Sequence, residues 1–150
     1  MQFRTFGQLE DALELIFSPS AASVILYTAA IKCGVHFYKG VKKKFDTKEE
    51  GLKLFSRIKN AENWGDVAFR QVDFNQGSGK TIVKNSFESM TRKTTKPSCH
   101  FFRGFLAGFL SELFDRMVEV TEEKCASRGD SHCEFRFEAG EVDSQPTYIG

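Results

Sequence analysis

Three observations predict an α+β fold. The first sixty residues carry apolar side chains at helical spacing. Residues 67–90 and 117–137 each alternate apolar and polar side chains around turn-forming residues. Between these two alternating regions lies a helical stretch, residues 98–115, rich in Phe and Leu. The expected architecture is N-terminal helices, then one antiparallel sheet built from two hairpins separated by a helix. A chain of 150 residues reads as a single domain, 1–150. That size buries roughly 68–70% of its unfolded surface, enough for a real core.

Taken in order, Phe6 to Phe17 reads as a helix, with Leu9, Leu13 and Ile16 on its apolar side. Ser18-Pro19-Ser20 breaks it, and Ser20 is placed to cap a long second helix running to about Lys44. Val24, Ile25, Ala29, Ile31, Val35, Phe37, Tyr38 and Val41 nearly encircle that helix, which predicts burial on more than one side: either a central helix, or one face on the core and another on a partner subunit. Lys42-Lys43-Lys44 complements its negative end, and Cys33 in its middle reads as a buried structural thiol. Thr47 to Asn60 forms a third helix, with Leu52, Leu54, Phe55 and Ile58 apolar.

Val67 to Phe74 alternates with one slip of phase, the sign of a bulge. Asn75 to Gly79 turns the chain into a return strand, Lys80 to Met90. Gly77-Ser78-Gly79-Lys80-Thr81 imitates the end of a phosphate-binding loop, but Phe74 stands where that loop needs Gly, and a strand follows instead of a helix. Pro97 and Ser98 open the helix at 98–115, with Ser98 placed to cap it. Gly104 and Gly108 share one of its faces, so another backbone or a ligand should approach there. Met117 to Glu123 and Cys133 to Phe137 complete the second hairpin around Arg128-Gly129-Asp130-Ser131, where the Arg-Gly-Asp spelling is turn chemistry.

The charge balance is 21 Lys+Arg against 20 Asp+Glu, a net +1, so no long-range field draws the chain to nucleic acid or acidic membranes. No apolar segment follows Met1-Gln2-Phe3-Arg4, and the longest apolar run, Ala21 to Ile31, is shorter than the roughly 20 residues a membrane span needs. The expectation is a cytoplasmic protein with no direct nucleic-acid or membrane contact. Four Cys then point to metal or free thiols.

Three of those Cys fall in one stretch with a carboxylate. Glu122 ends the inward face of one strand, Cys125 lies just past it, Cys133 begins the inward face of the hairpin partner, and Cys99 sits at the N-terminus of the covering helix. That helix end should lower the Cys99 thiol pKa. Three sulfurs and one carboxylate suit a closed four-coordinate Zn²⁺ site, whereas Mg²⁺ and Ca²⁺ want oxygen. The seven-residue gap between Cys125 and Cys133 is not zinc-finger spacing, so spacing alone also admits three unrelated core cysteines.

The pattern of Cys99, Gly104, Gly108, Glu122, Cys125, Gly129, Cys133 and Phe135 resembles the 4-vinyl reductase domain family (4VR). A weaker match, Ala21 to Tyr27 through Gly34, extends it toward the N-terminus. The family is similar in fold to sensory domains of aromatic-responsive transcription activators and to TRAPP-type transport subunits. In the sensory domains a structural zinc is held by Cys, Glu, Cys and Cys. The resemblance thus implies that Cys99, Glu122, Cys125 and Cys133 bind structural Zn²⁺.

It also implies a mostly apolar ligand cavity enclosed by the 98–115 helix, the sheet and the second helix. Its lining would be Phe101, Phe102, Phe105 and Phe109, with Tyr38, His36 and Trp64 from elsewhere in the chain. The His and Trp that orient a phenol hydroxyl in phenol-responsive members have no counterpart at matching spacing. Ser78 stands about where the Trp would fall.

Three functions follow from the resemblance. The first is a sensor module that binds a small hydrophobic or aromatic molecule and signals to another protein, as a homodimer through the second helix. The second is a tetrapyrrole vinyl-group reductase or its accessory factor. The third is a dimeric assembly subunit without ligand. A reductase needs an electron source, and the sequence has no dinucleotide fingerprint, flavin signature or iron–sulfur spacing, so the residues favour a non-enzyme.

Overall fold

A computed structural model describes residues 3–142. Helix α1 (Phe3–Phe17) leads into α2 (Pro19–Val41), a 3-10 turn (Lys42–Lys44) and α3 (Lys48–Ala61). Strands β1 (Asp66–Asp73) and β2 (Ser78–Lys84) form the first hairpin, α4 (His100–Phe114) follows, and β3 (Val118–Lys124) and β4 (Cys133–Ala139) form the second. The two hairpins join through β2 and β4 into one four-stranded antiparallel sheet, ordered β1-β2-β4-β3. The expected α+β arrangement is therefore present.

Local chemistry explains the boundaries. Thr47 and Glu50 close a capping box at the start of α3. Ser18, not Ser20, caps α2: its hydroxyl accepts from the N–H of Ala21, which leaves Pro19 in the first turn, where its missing N–H costs nothing. The phase slip in β1 is a register shift between Arg70 and Asp73, with Gln71 at φ 52°. The return strand is shorter than Lys80 to Met90. Asn85 adopts φ 55° and stops β2 at Lys84, and the chain turns through residues 86–91.

The inner face of the sheet carries Val67, Thr81, Val83, Val118, Val120, Cys133, Phe135 and Phe137. Helix α4 lies across it, buried along most of its length, and α2 covers α4 from the other side. Close helix crossing accounts for the glycines. A Cβ on Gly104 would collide with the Tyr27 carbonyl, one on Gly108 with that of Ile31, and one on Gly34 with that of Phe105. The close approach expected at Gly104 and Gly108 is thus made by the backbone of α2.

Two helices differ from their sequence patterns. On α1 the inner side is Phe6, Gly7 and Glu10, while Leu9 and Ile16 are exposed. The reason is a buried Arg92 side chain that pairs with Glu10 at 3.5 Å, Asp11 at 3.3 Å and Glu14 at 2.8 Å and so fixes which face turns inward. On α2 one stripe, Ala22, Leu26, Ala30, Gly34 and Val41, is buried. Cys33, expected inside, is exposed, as are Val24 and Ile25, because the neighbouring helices leave parts of α2 uncovered. With its 3-10 turn, the helical segment Pro19–Lys44 is long and apolar enough, by length and composition, to cross a membrane.

Candidate metal centre and aromatic interior

The second hairpin and the start of α4 bring four side chains together. One ligand atom each from Cys99, Glu122, Cys125 and Cys133 lies within 4.8 Å of the others. The Cys99 sulfur stands 3.7 Å from that of Cys125 and 3.8 Å from that of Cys133, and all three thiols are fully buried. Glu122 accepts the Cys99 N–H on Oε1 at 3.0 Å, while its Oε2 is buried with no hydrogen-bond partner. An orphaned carboxylate oxygen facing three thiols is what a metal ligand set leaves behind. The donors fit a metal ion.

The thiols share their protons unequally. Hydrogen bonds from Cys133 and Cys99 push the Cys125 thiol pKa far down. Hydrogen bonding to Cys125 and Cys133, then burial, pushes Cys99 well up, which reverses the lowering expected from its helix position. Cys133 rises to about 11, chiefly through its bond to Cys125, and burial raises Glu122 to about 8. Glu88 occupies the helix end: its two side-chain oxygens accept the N–H groups of Phe101 at 2.9 Å and Phe102 at 2.8 Å. Cys99 occupies the cap position, and Ser98, the expected cap, instead bonds Ser127 at 2.8 Å.

A shell of hydroxyls and backbone surrounds the sulfurs. Ser127 lies 2.9 Å from Cys125, Ser89 3.5 Å from Cys133, and the Ala126 N–H points at Cys133 from 3.4 Å. Asp130 accepts the Cys125 N–H at 2.8 Å and pairs with Arg128 at 2.8 Å, so the Arg-Gly-Asp turn braces the ligand loop.

The expected pocket residues divide into two groups. Phe102, Phe105 and Phe109 are buried, and Trp64, Phe101 and Tyr38 are half-buried around them. Trp64 lies 4.8 Å from Phe105 and 6.0 Å from both Phe101 and Phe102, and Tyr38 lies 6.0 Å from Phe109. Phe37 and Phe55, which carried no pocket expectation, stand at the centre of the cluster: Phe55 lies 4.7 Å from Phe109 and 5.7 Å from Phe37. His36 is exposed on α2 and does not join them. A further member, Lys59, buries its ammonium among these rings. The signal was present in the sequence, since Lys59 falls four residues after Phe55 and seven after Leu52 on the apolar stripe of α3.

Residues 80–139 match the V4R domain model, which bears out the family resemblance. Two uncharacterized proteins of Methanocaldococcus jannaschii are 41% identical over 56 residues and 40% identical over 40 residues, matching 36% and 27% of this chain. The matched stretch spans 25% of the length of each of these relatives.

Among solved structures, the phenol-responsive sensory domain of the transcription activator PoxR with phenol is similar at TM-score 0.81 and 17% identity, over 93% of this chain and 75% of that one. A vinyl-4-reductase family protein from Methanocaldococcus jannaschii is similar at TM-score 0.60 and 22% identity, over 77% of this chain and 68% of that one. Trafficking protein particle complex subunit 3 from Naegleria fowleri, covalently bound to palmitic acid, is similar at TM-score 0.69 and 12% identity, over 97% of this chain and 98% of that one. At these identities the likeness is one of fold.

Proposed function

Starting from the V4R domain match over residues 80–139, we propose that the chain is a small-molecule-sensing module stapled by a structural Zn²⁺. The observation that carries this reading is that the thiol cluster and the aromatic interior share one helix and one strand. Helix α4 supplies Cys99 at its start and Phe102, Phe105 and Phe109 along its inner side. Strand β4 supplies Cys133 and, two residues on, Phe135, which stacks on Phe102 at 5.3 Å. With the ends of α4 and β4 tied together, rearrangement of the rings is passed to elements that are not tied, notably α2 and α3.

Zn²⁺ suits the ligand set because thiolates select it over Mg²⁺ and Ca²⁺. Four protein donors leave no open position, so the metal has a structural role. Buried free thiols suit a reducing compartment such as the cytoplasm.

The ligand is a small hydrophobic or aromatic molecule received among Phe55, Phe102, Phe105 and Phe109, and the interior readout passes to a partner protein or a second copy. The outer face of α2 supports pairing. Val24 and Ile25 are exposed there, and Leu15, Ile16 and Phe17 at the end of α1 are exposed too; exposed apolar side chains of this size suit an interface. Isothermal titration of the metal-loaded protein against hydrophobic and aromatic compounds tests the reading. It expects at least one saturable binder of one-to-one stoichiometry. A well-folded protein that binds none of them contradicts it.

A further inference from the structure

Lys59 lies in the last turn of α3 with its side chain 3% exposed. Its Nζ stands 4.2 Å from the ring centroid of Phe37, 4.0 Å from Trp64 and 4.3 Å from Phe105. The three rings come from three elements: α2, the loop after α3, and α4. The one carboxylate bonded to it is Glu62, whose Oε2 lies at 2.9 Å. An ammonium has three N–H donors, so with one spent on Glu62 the others face aromatic π-clouds. No other cation among the described residues sits over more than one ring; Arg103 lies over Tyr27 alone.

This is the geometry by which aromatic cages hold organic cations. Three negative ring faces and a carboxylate attract positive charge. They give a neutral ligand only apolar contact and repel an anion. The occupant is held on a flexible four-methylene arm, and burial lowers the Lys59 pKa because the lost hydration is not fully replaced. Glu62 is 45% exposed, so the cage opens toward water on the carboxylate side. Rotation of the Lys59 arm outward rehydrates its ammonium beside Glu62. The same rotation frees the three ring faces, on which a ligand ammonium takes the place of the Lys59 ammonium.

We propose that the cage of Phe37, Trp64 and Phe105 is a binding site for a small organic ammonium ion, held closed by Lys59 until the ligand displaces it. The proposal rests on the sensor reading and names a ligand class for the aromatic interior. The exchange has a route outward. The Trp64 N–H donates to the Lys59 carbonyl at 2.9 Å, and the Phe87 N–H donates to the Trp64 carbonyl at 3.0 Å, so Lys59 is linked by backbone bonds to the segment leading into the thiol cluster.

Trp64 is the only Trp, so its fluorescence reports on the cage directly. The metal-loaded full chain is titrated with choline and with 3,3-dimethyl-1-butanol, its neutral isostere. Choline should change the emission saturably, and the neutral compound should bind about tenfold more weakly or worse. Lys59→Ala, which removes the internal competitor, should bind choline at least about tenfold more tightly. Phe37→Leu should weaken choline several-fold and leave the neutral compound unchanged.

Equal binding of the two compounds overturns the cation assignment but leaves a hydrophobic-ligand sensor standing. Binding of aromatic compounds elsewhere, with no choline response in wild type or in folded Lys59→Ala, overturns the cage as a site and also spares the sensor reading. Failure of every compound overturns both. Should Lys59→Ala not fold, the wild-type comparison and Phe37→Leu decide: no choline response, or one indifferent to Phe37→Leu, overturns the proposal.

Discussion

The backbone N–H of Cys99 donates to Glu122 Oε1 at 3.0 Å, and the other oxygen of that carboxylate is buried without a partner. Glu122 thus has two separable tasks: it fixes the start of α4 and completes the thiol cluster. Glu122→Gln keeps the shape and the acceptor for Cys99, so it should retain Zn²⁺ with reduced affinity in chelator competition. Glu122→Ala should lose both tasks and hold metal more weakly still. Cys133→Ser removes a thiolate from a fully buried cluster and should cost on the order of 4 kcal/mol, with loss of metal and solubility together. Equal metal affinity in all three variants would dissolve the link between the cluster and the fold.

The crossing of α2 and α4 makes a sharp prediction about methyl groups. Gly108→Ala places a Cβ against the Ile31 carbonyl, which is backbone and cannot swing aside. It should destabilise by about 2–3 kcal/mol or more in denaturant unfolding. Gly40→Ala, on the same α2 but with nothing within 4 Å, should stabilise by roughly 0.5–1 kcal/mol through helix propensity. Similar effects at the two positions would show that the helices are not packed backbone to backbone.

Glu10 and Glu88 form a fully buried carboxyl pair beneath α1, faced by Arg92 from the loop and by Asp11 and Glu14 from α1. Burial raises the Glu10 pKa from 4.5 to about 7, and burial together with Glu10 raises Glu88. A carboxyl whose folded pKa is raised stabilises the fold fully below its unfolded pKa, and that contribution is lost as pH rises through the folded value. Stability should therefore fall between about pH 4.5 and 7, by roughly 3 kcal/mol at most for Glu10. Urea midpoints measured across that range should show the decline, and Glu10→Gln should flatten it. A curve identical in wild type and Glu10→Gln would mean that the pair keeps one charge state throughout.

The exposed apolar residues on α1 and α2 predict self-association. Val24→Glu with Ile25→Glu should leave the fold and metal content intact, since both side chains point away from α4, and should reduce the molar mass seen by light scattering from dimer to monomer. A wild-type protein that is already monomeric at micromolar concentration contradicts the pairing.

Much of this was legible in the sequence because it depends on periodicity and turn chemistry. The start of α3 at Thr47, the bulge in β1, the two hairpins and the convergence of Cys99, Glu122, Cys125 and Cys133 each follow from local pattern. What escaped depends on partners distant in the chain. The inward face of α1 is chosen by Arg92, some eighty residues away, and the N-terminus of α4 is capped by Glu88 from a loop read as strand. Cys33 read as buried because α2 is apolar nearly all round, but α4 and α1 together leave part of its surface uncovered. Lys59 on an apolar stripe gave a warning that periodicity alone could not interpret, since its rings come from three separate elements.

Whether Cys99, Glu122, Cys125 and Cys133 hold a metal that ties α4 to the second hairpin is tested most directly by zinc-edge X-ray absorption of the tag-free protein. The expected result is about one Zn²⁺ per chain with three sulfur neighbours near 2.3 Å and one oxygen near 2.0–2.2 Å. A protein free of zinc whose unfolding is unmoved by chelator, or a zinc shell made of oxygen and nitrogen alone, would contradict it.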